Sequence, residues 1–129
     1  IAGNFVNDDI LGSMEFACKL AGTKLIVVLG HTACGAVKGA CDDAKLGKLT
    51  GMLEKIKPAV KAVKTPEDNS LRNSSNIDFV NKVAKENVHL TIEAILRESD
   101  VLKEMHDSKE LKIVGGMYRI QDGGVEFFE

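Results

Sequence analysis

Two residues in the chain have the types and spacing that chemistry needs. His31 and Cys34 lie three positions apart in the run Gly-His-Thr-Ala-Cys-Gly. A neutral imidazole nitrogen and a thiolate sulfur are both good ligands for a borderline-soft metal such as zinc. The same pair also matches a cysteine nucleophile beside a histidine base, an arrangement that needs a third group to orient the base. The plain alternative is a loop histidine next to a small buried thiol. Spacing alone leaves all three readings open.

The stretch around the pair must position it. Leu25 to Leu29 is an unbroken apolar run rich in β-branched residues, too short for a helix. It predicts a strand buried on both faces, the parallel-sheet kind. Gly30 ends the run, and small residues lead into a helix expected from about Cys34 to Leu46, with Gly47 as its stop. His31 and Cys34 therefore fall in a strand-to-helix loop at the carboxyl edge of a sheet, where α/β proteins place their ligands. A thiol near the first turn of that helix is favoured as thiolate by the helix dipole.

The remaining cysteines and histidines read as structural. Cys18 lies on the apolar stripe of a helix that Asn7 or Asp8 can cap, carrying Ile10, Leu11, Met14, Ala17 and Ala21, with Gly22 as its stop. Cys41 follows Cys34 by two helical turns, roughly 10 Å along the axis. That is too far to share a metal that holds sulfur at about 2.3 Å. His89 falls on the more exposed side of a long amphipathic helix from Ser74 or Ser75 to about Arg97, carrying Ile77, Val80, Val83, Ala84, Val88, Thr91, Ile92, Ile95 and Leu96. His106 sits near the end of a short helix capped by Ser99 or Asp100, where a cation suits the dipole.

Three further elements complete the outline. Thr50 can cap a helix bearing Leu53, Ile56, Val60 and Val63, with Pro58 kinking it or marking a junction. Residues 65–76 are polar and turn-rich, a surface loop. Leu111 to Ile120 is a second strand whose two central glycines predict close approach by a neighbouring element. Asp122-Gly-Gly turns the chain so that Val125 to Phe128 returns antiparallel. The fold class is α/β: a mostly parallel sheet flanked by helices, with an antiparallel C-terminal edge strand.

At 129 residues the chain is one domain by length. With 44% hydrophobic and 28% charged residues it is an ordinary globular chain, not a disordered one. A net charge of −2 argues against a nucleic-acid partner or an anionic membrane surface. Three irregularly spaced cysteines suggest no disulfide framework, so a cytoplasmic, reducing setting is the expectation.

Longer motifs narrow the function. Ile1-Ala-Gly-Asn-Phe-Val, Gly12-Ser-Met-Glu-Phe-Ala, Ile26-Val-Val-Leu-Gly-His-Thr-Ala-Cys-Gly-Ala-Val and Asn87-Val-x-x-Thr-Ile occur in that order. Val114-Gly-Gly-Met-Tyr and Gly123-Gly-Val-Glu-Phe follow. In this order they resemble the β-class carbonic anhydrases from the first residue to the last. The resemblance implies one domain over residues 1–129 and zinc-dependent reversible hydration of carbon dioxide to bicarbonate and a proton. It implies Zn2+ as cofactor, with His31 and Cys34 as two ligands of a Cys₂His shell that leaves the fourth position to water. It also implies a homodimer or larger homo-oligomer. Zinc makes a bound water acidic enough to react near neutral pH; the standard example of that effect is itself a carbonic anhydrase, with three histidines.

In the family, a Cys-x-Asp-x-Arg segment upstream of the Ala-Gly-Asn stretch supplies the other thiolate and an Asp-Arg pair beside the metal. No such segment stands in this sequence, and Asp8 and Asp9 match no family motif. The expectation is a domain whose N-terminal part lies outside the given residues, so no catalytic acid or base is assigned within them. Two alternatives stay open: a non-catalytic scaffold or oligomerisation protein with the same fold, and a cysteine-nucleophile enzyme using Cys34.

Overall fold

The structure, a computed structural model, describes residues 1–128. Six helices and three strands follow one another as α1 (Asp8–Glu15), β1 (Leu25–His31), α2 (Gly35–Cys41), α3 (Gly47–Glu54), α4 (Lys57–Ala62), α5 (Ile77–Glu98), α6 (Asp100–Asp107), β2 (Lys112–Tyr118) and β3 (Val125–Phe128). The sheet order is β1-β2-β3. β1 and β2 are parallel, with Leu25 opposite Lys112 and His31 opposite Tyr118. β3 returns antiparallel to β2. This is the α/β class expected, with the antiparallel strand at the C-terminal edge.

β1 corrects one expectation. Its residues alternate between exposed and buried instead of being buried on both faces. Ile26 and Val28 enter the core, whereas Leu25, Val27 and Leu29 remain 42–49% exposed. An unbroken apolar run hides this alternation, because side chains of one strand point to both faces whatever their chemistry. The helices pack on the face that presents Ile26, Val28 and Gly30, and the edge of β1 away from β2 has no strand partner among the described residues.

α5 is the beam on which the sheet rests. Asn76 caps it by accepting from the Phe79 amide at 3.4 Å. Phe79, Val80, Val83, Val88 and Ile95 are fully buried along it. The core stripe thus takes in Phe79 and turns away from Ile77, which is 40% exposed. The sheet meets this helix at glycines. A Cβ at Gly30 would stand 2.9 Å from Val88 Cγ2 and 2.8 Å from Met117 Sδ. One at Gly115 would stand 2.9 Å from Val88 Cγ1. The close approach expected at the Val114-Gly-Gly centre is this contact.

The helices after the loop differ from expectation. α2 ends at Cys41, well before Gly47, because Asp43 adopts a left-handed φ of +54°. Its amide reaches Ala40 O, and the Ala44 amide reaches Gly39 O, the paired bonds of a Schellman closure usually built on glycine. The Lys57 and Lys45 ammonium groups hold the Asp43 carboxylate in place. Gly47 opens α3 instead of stopping α2, and Thr50 sits inside it, its hydroxyl accepting from the Leu46 amide at 2.8 Å. Pro58 stands in the first turn of α4, where its missing N–H costs nothing. The segment thus forms two short helices that meet just before Pro58, the junction and not the kink of the two expected alternatives. α1 is capped by Asn7 and continues through a π-helical turn, Phe16–Leu20, before Gly22 at φ +83° ends it. Cys18, in that turn, is buried as expected. Ser99 caps α6 through the Leu102 amide. Among the described residues no helix is long and apolar enough to cross a membrane.

Because two of the three atoms nearest the Gly30 position belong to packed side chains, Gly30→Ala should push α5 away from β1 and displace Met117. A loss of about 1–3 kcal/mol is expected from overpacking of this kind, measurable by urea denaturation. Unchanged stability would mean that Met117 and Val88 can move aside.

Candidate metal centre

His31 is the last residue of β1 and Cys34 the residue that leads into α2, so both lie at the carboxyl edge of the sheet. They line one cleft of about 370 Å³, together with Gly3, Asn4, Gly30, Ala84 and Asn87. His31 is exposed, and Cys34 is only 7% exposed. The ring orientation of His31 is fixed locally: Nδ1 lies 2.8 Å from the carbonyl oxygen of Thr32. A carbonyl can only accept, so Nδ1 carries a proton, and in the neutral ring Nε2 is then the nitrogen with a free lone pair. That is the usual state of a metal-binding histidine.

The two residues between the pair are each fastened. Thr32 donates its amide to Tyr118 O at 2.9 Å and its hydroxyl to Gln121 Oε1 at 3.1 Å, and its hydroxyl also accepts from the Ile120 amide. Ala33 adopts a left-handed φ of +54°, which costs a residue with a Cβ roughly 1–2 kcal/mol. Its amide donates to Asn81 Oδ1 of α5 at 2.9 Å. On the opposite wall, the buried Asn87 amide donates to Gly3 O at 2.6 Å and to Asn4 O at 2.8 Å, and the Thr91 hydroxyl donates to Asn4 O at 2.8 Å. Gly3 itself is at φ +84°, with Ile56 so close that no side chain would fit.

These supporting residues are the ones sequence reasoning missed. Thr91 passes as part of an apolar stripe, and Asn87 appears only as a motif letter. The available signal was polarity on a core-facing helical face, since a buried amide must find partners. Asn81 and Gln121 gave no signal, because their partners are 48 and 89 residues away in sequence.

The donor set is short of a full shell. Imidazole nitrogen and thiolate sulfur suit zinc, but a catalytic zinc takes three protein ligands. Among the described residues no group of three or more histidine, cysteine or carboxylate side chains is placed to hold a metal. The residues present therefore fit part of a zinc shell and do not complete one. Cys18 lies in a different cleft, beside Lys24 and Met105. Cys41 stands on α2 next to Asp42 and within the field of Arg72. His89 packs against Phe128 with ring centroids 4.8 Å apart, and His106 lies 3.7 Å from Asp107. None of these reaches the His31–Cys34 cleft.

The fold and this loop define a class that comparison makes explicit. The family profile described as carbonic anhydrase matches residues 1–125. The chain is 31% identical over 127 residues to carbonic anhydrase 2 of Mycobacterium tuberculosis, covering 95% of itself and 57% of that protein. It is 28% identical over 130 residues to a carbonic anhydrase of Mycolicibacterium smegmatis, covering 97% of itself and 59% of that protein. Among solved structures it resembles the β-carbonic anhydrase CafA of Aspergillus fumigatus, with a TM-score of 0.83, 26% identity and coverage of 99% of this chain and 61% of that one. It also resembles the β-carbonic anhydrase CcaA at the level of fold, with a TM-score of 0.83, 23% identity and coverage of 99% and 65%. The chain belongs to the carbonic anhydrase family, in its β class. It spans somewhat more than half the length of the curated relatives it matches.

Thiol chemistry separates the three cysteines. Burial, with the Asp42 charge adding to it and Arg72 opposing, pushes the Cys41 thiol up to about 11. Burial also raises Cys18. Both favour the neutral thiol, so the folded protein binds these protons more tightly than the unfolded chain. The corresponding stabilisation is complete below the ordinary thiol range and is lost as pH rises from about 9 towards 11. At pH 8, iodoacetamide should leave Cys18 and Cys41 unmodified in the folded protein, with Cys41 becoming reactive only near pH 11. Mass spectrometry of the digested protein reads the outcome, and rapid labelling of Cys41 at pH 8 would contradict it.

Proposed function

We propose that the protein carrying this chain is a zinc-dependent enzyme that interconverts carbon dioxide and bicarbonate. The observation that carries the reading is the His31–Cys34 pair on one cleft, at the carboxyl edge of the sheet, in a chain of the carbonic anhydrase family. His31 Nε2 and Cys34 Sγ would serve as two of the metal's protein ligands. The remaining donor, and any acid or base beside the metal, would come from polypeptide other than residues 1–128. Zinc, when bound, supplies Lewis acidity that activates water.

The chain's own residues account for the rest. Nδ1–H of His31, held on the Thr32 carbonyl, keeps the ring in the tautomer that leaves Nε2 free. Burial of Cys34 keeps bulk water from its sulfur. Leu29, Val37 and Ala84 give the cleft apolar lining suited to a small apolar substrate such as carbon dioxide.

The intact protein should contain about one zinc per chain. His31→Ala and Cys34→Ala should each remove the metal and reduce carbon dioxide hydration to background, measured by stopped-flow with a pH indicator. Activity retained in either variant would end the assignment. Alkylation separates a cysteine-nucleophile reading: a metal-bound Cys34 is protected until a chelator is added, whereas a free nucleophile reacts at once.

A homo-oligomer, dimer at least, belongs to the same proposal. The β-carbonic anhydrases of Sordaria macrospora that this fold resembles are described as tetrameric. Here the sheet face away from the helices leaves Leu25, Val27, Leu29, Val125 and Phe127 exposed by 40–63%, clustered apolar surface of the kind an interface covers. Light scattering at micromolar concentration should give at least twice the chain mass, and a monomer would refute the assembly.

A further inference from the structure

α5 touches the cleft from beneath through Ala84 and Asn87, but Asn81, one turn earlier, does not line it. Its side chain instead reaches past the cleft to the backbone between His31 and Cys34, where Oδ1 accepts from the Ala33 amide at 2.9 Å. That amide is half-buried and sits in a residue held at φ +54°. Alanine does not stay there unaided, since its Cβ crowds the backbone in the left-handed region. The neighbouring anchors are different in kind. Those of the Thr32 hydroxyl run to Gln121 and Ile120 on the β2–β3 hairpin and are exposed, so water can replace them. Asn81 projects from a 22-residue helix packed against β1 and β2, a far stiffer support.

We propose that Asn81 is a positioning residue for the His31–Cys34 pair: by holding the Ala33 amide it keeps that residue left-handed and so fixes where Cys34 Sγ stands relative to His31 Nε2. The proposal rests on the metal-ligand role given to the pair above. Rotating Ala33 into an ordinary backbone region would turn the peptide that leads into Cys34 and α2 and so move Cys34 relative to His31, with no residue that lines the cleft substituted. A second consequence concerns α5 as a whole. Asn81, Ala84, Asn87 and Thr91 recur at spacings of three, three and four, one face of the helix. That face sets the ligand loop on one side and the Gly3–Asn4 segment on the other.

The test uses the intact protein with cobalt(II) in place of zinc, since a cobalt–thiolate bond gives an absorption band that reports ligand geometry directly. Four forms are compared: the parent, Asn81→Ala, Ala33→Gly and the two combined, with His31→Ala as control. Alanine favours helix, so Asn81→Ala should leave α5 intact. Loss of a group bonded directly to a metal ligand typically weakens metal binding roughly 10–100-fold, and Asn81, which acts through the residue before Cys34, is placed at the lower end of that range. Asn81→Ala is therefore expected to bind cobalt at least about tenfold more weakly, with a shifted thiolate band. Exchange of the Ala33 amide should quicken while the amides of Val83 to Ile95 stay protected. Glycine adopts positive φ as readily as negative, so Ala33→Gly added to Asn81→Ala should recover several-fold of the loss.

Affinity within about twofold of the parent and an unshifted band in Asn81→Ala would overturn the proposal. So would a loss accompanied by faster exchange along α5 and no recovery with glycine, which would mark Asn81 as merely structural. Should Asn81→Ala fail to fold, Asn81→Gln carries the same test, because it keeps the amide and displaces the acceptor by one methylene. His31→Ala distinguishes the two levels of the argument. If it binds cobalt like the parent, the metal-ligand reading itself fails; if it loses the metal while Asn81→Ala does not, only the positioning role fails.

Discussion

The structure depends on how closely α5 approaches β1 and β2. At Gly30 and at Gly115 a Cβ would stand 2.9 Å from a Val88 methyl, closer than packed atoms sit unless something shifts. Two glycines on adjacent strands therefore set the distance between the helix and the sheet. Everything at the carboxyl edge inherits that distance: the His31–Cys34 loop follows Gly30 directly, and the helix that braces the loop is the one the glycine admits. Dense packing makes this a constraint and not a preference, since protein interiors relax only partly around an added atom.

On that frame, polar groups do what apolar packing cannot. Hydrophobic contact is non-directional and would let the segments before and after the cleft settle in several ways. The hydrogen bonds from Asn87 and Thr91 to the Gly3 and Asn4 carbonyls are directional, and the Asn87 side chain is buried, so breaking its bonds leaves groups unsatisfied at a cost of about 1–3 kcal/mol. By contrast, the ion pairs that join Lys45 and Lys57 to Asp43 and Glu54 lie at the surface. They hold the turn after α2, and pairs of that exposure add little to global stability. The cleft is thus built by a few buried amides, not by the more numerous charges.

The sheet also shows how a parallel strand can be apolar on both faces while only one is covered. Ile26 and Val28 are spent on the helical layer; Leu25, Val27 and Leu29 meet Val114 and Phe127 on a face with no helix of the described residues over it. Leu29 and Phe127 converge over Gly116, whose missing side chain lets them approach across three strands. Such a face is costly to leave in water. β1 thus carries His31 at its end and the apolar face along its length.

The local sequence determined a good deal by itself. Asn7 and Ser99 accept from the third residue on, as capping chemistry requires, and Asp122-Gly-Gly made the turn that returns β3. The placement of His31 and Cys34 on a strand-to-helix loop followed from apolar run, glycine and small residues in succession, and the family from motif order. Tertiary structure decided the rest. Which face of Leu25–Leu29 is buried depends on where α5 lies, and no pattern exists within an unbroken apolar run to say so. α2 ends at Cys41 with Asp43, a residue without glycine's freedom, in the left-handed region, and its carboxylate is held by Lys45 two residues on and by Lys57 fourteen residues on. The loop between His31 and Cys34 takes its shape from Asn81, Tyr118 and Gln121, none nearer than 48 residues. Local propensity reaches only a few residues along the chain; the relative placement of His31 and Cys34 is set by partners that only folding brings together.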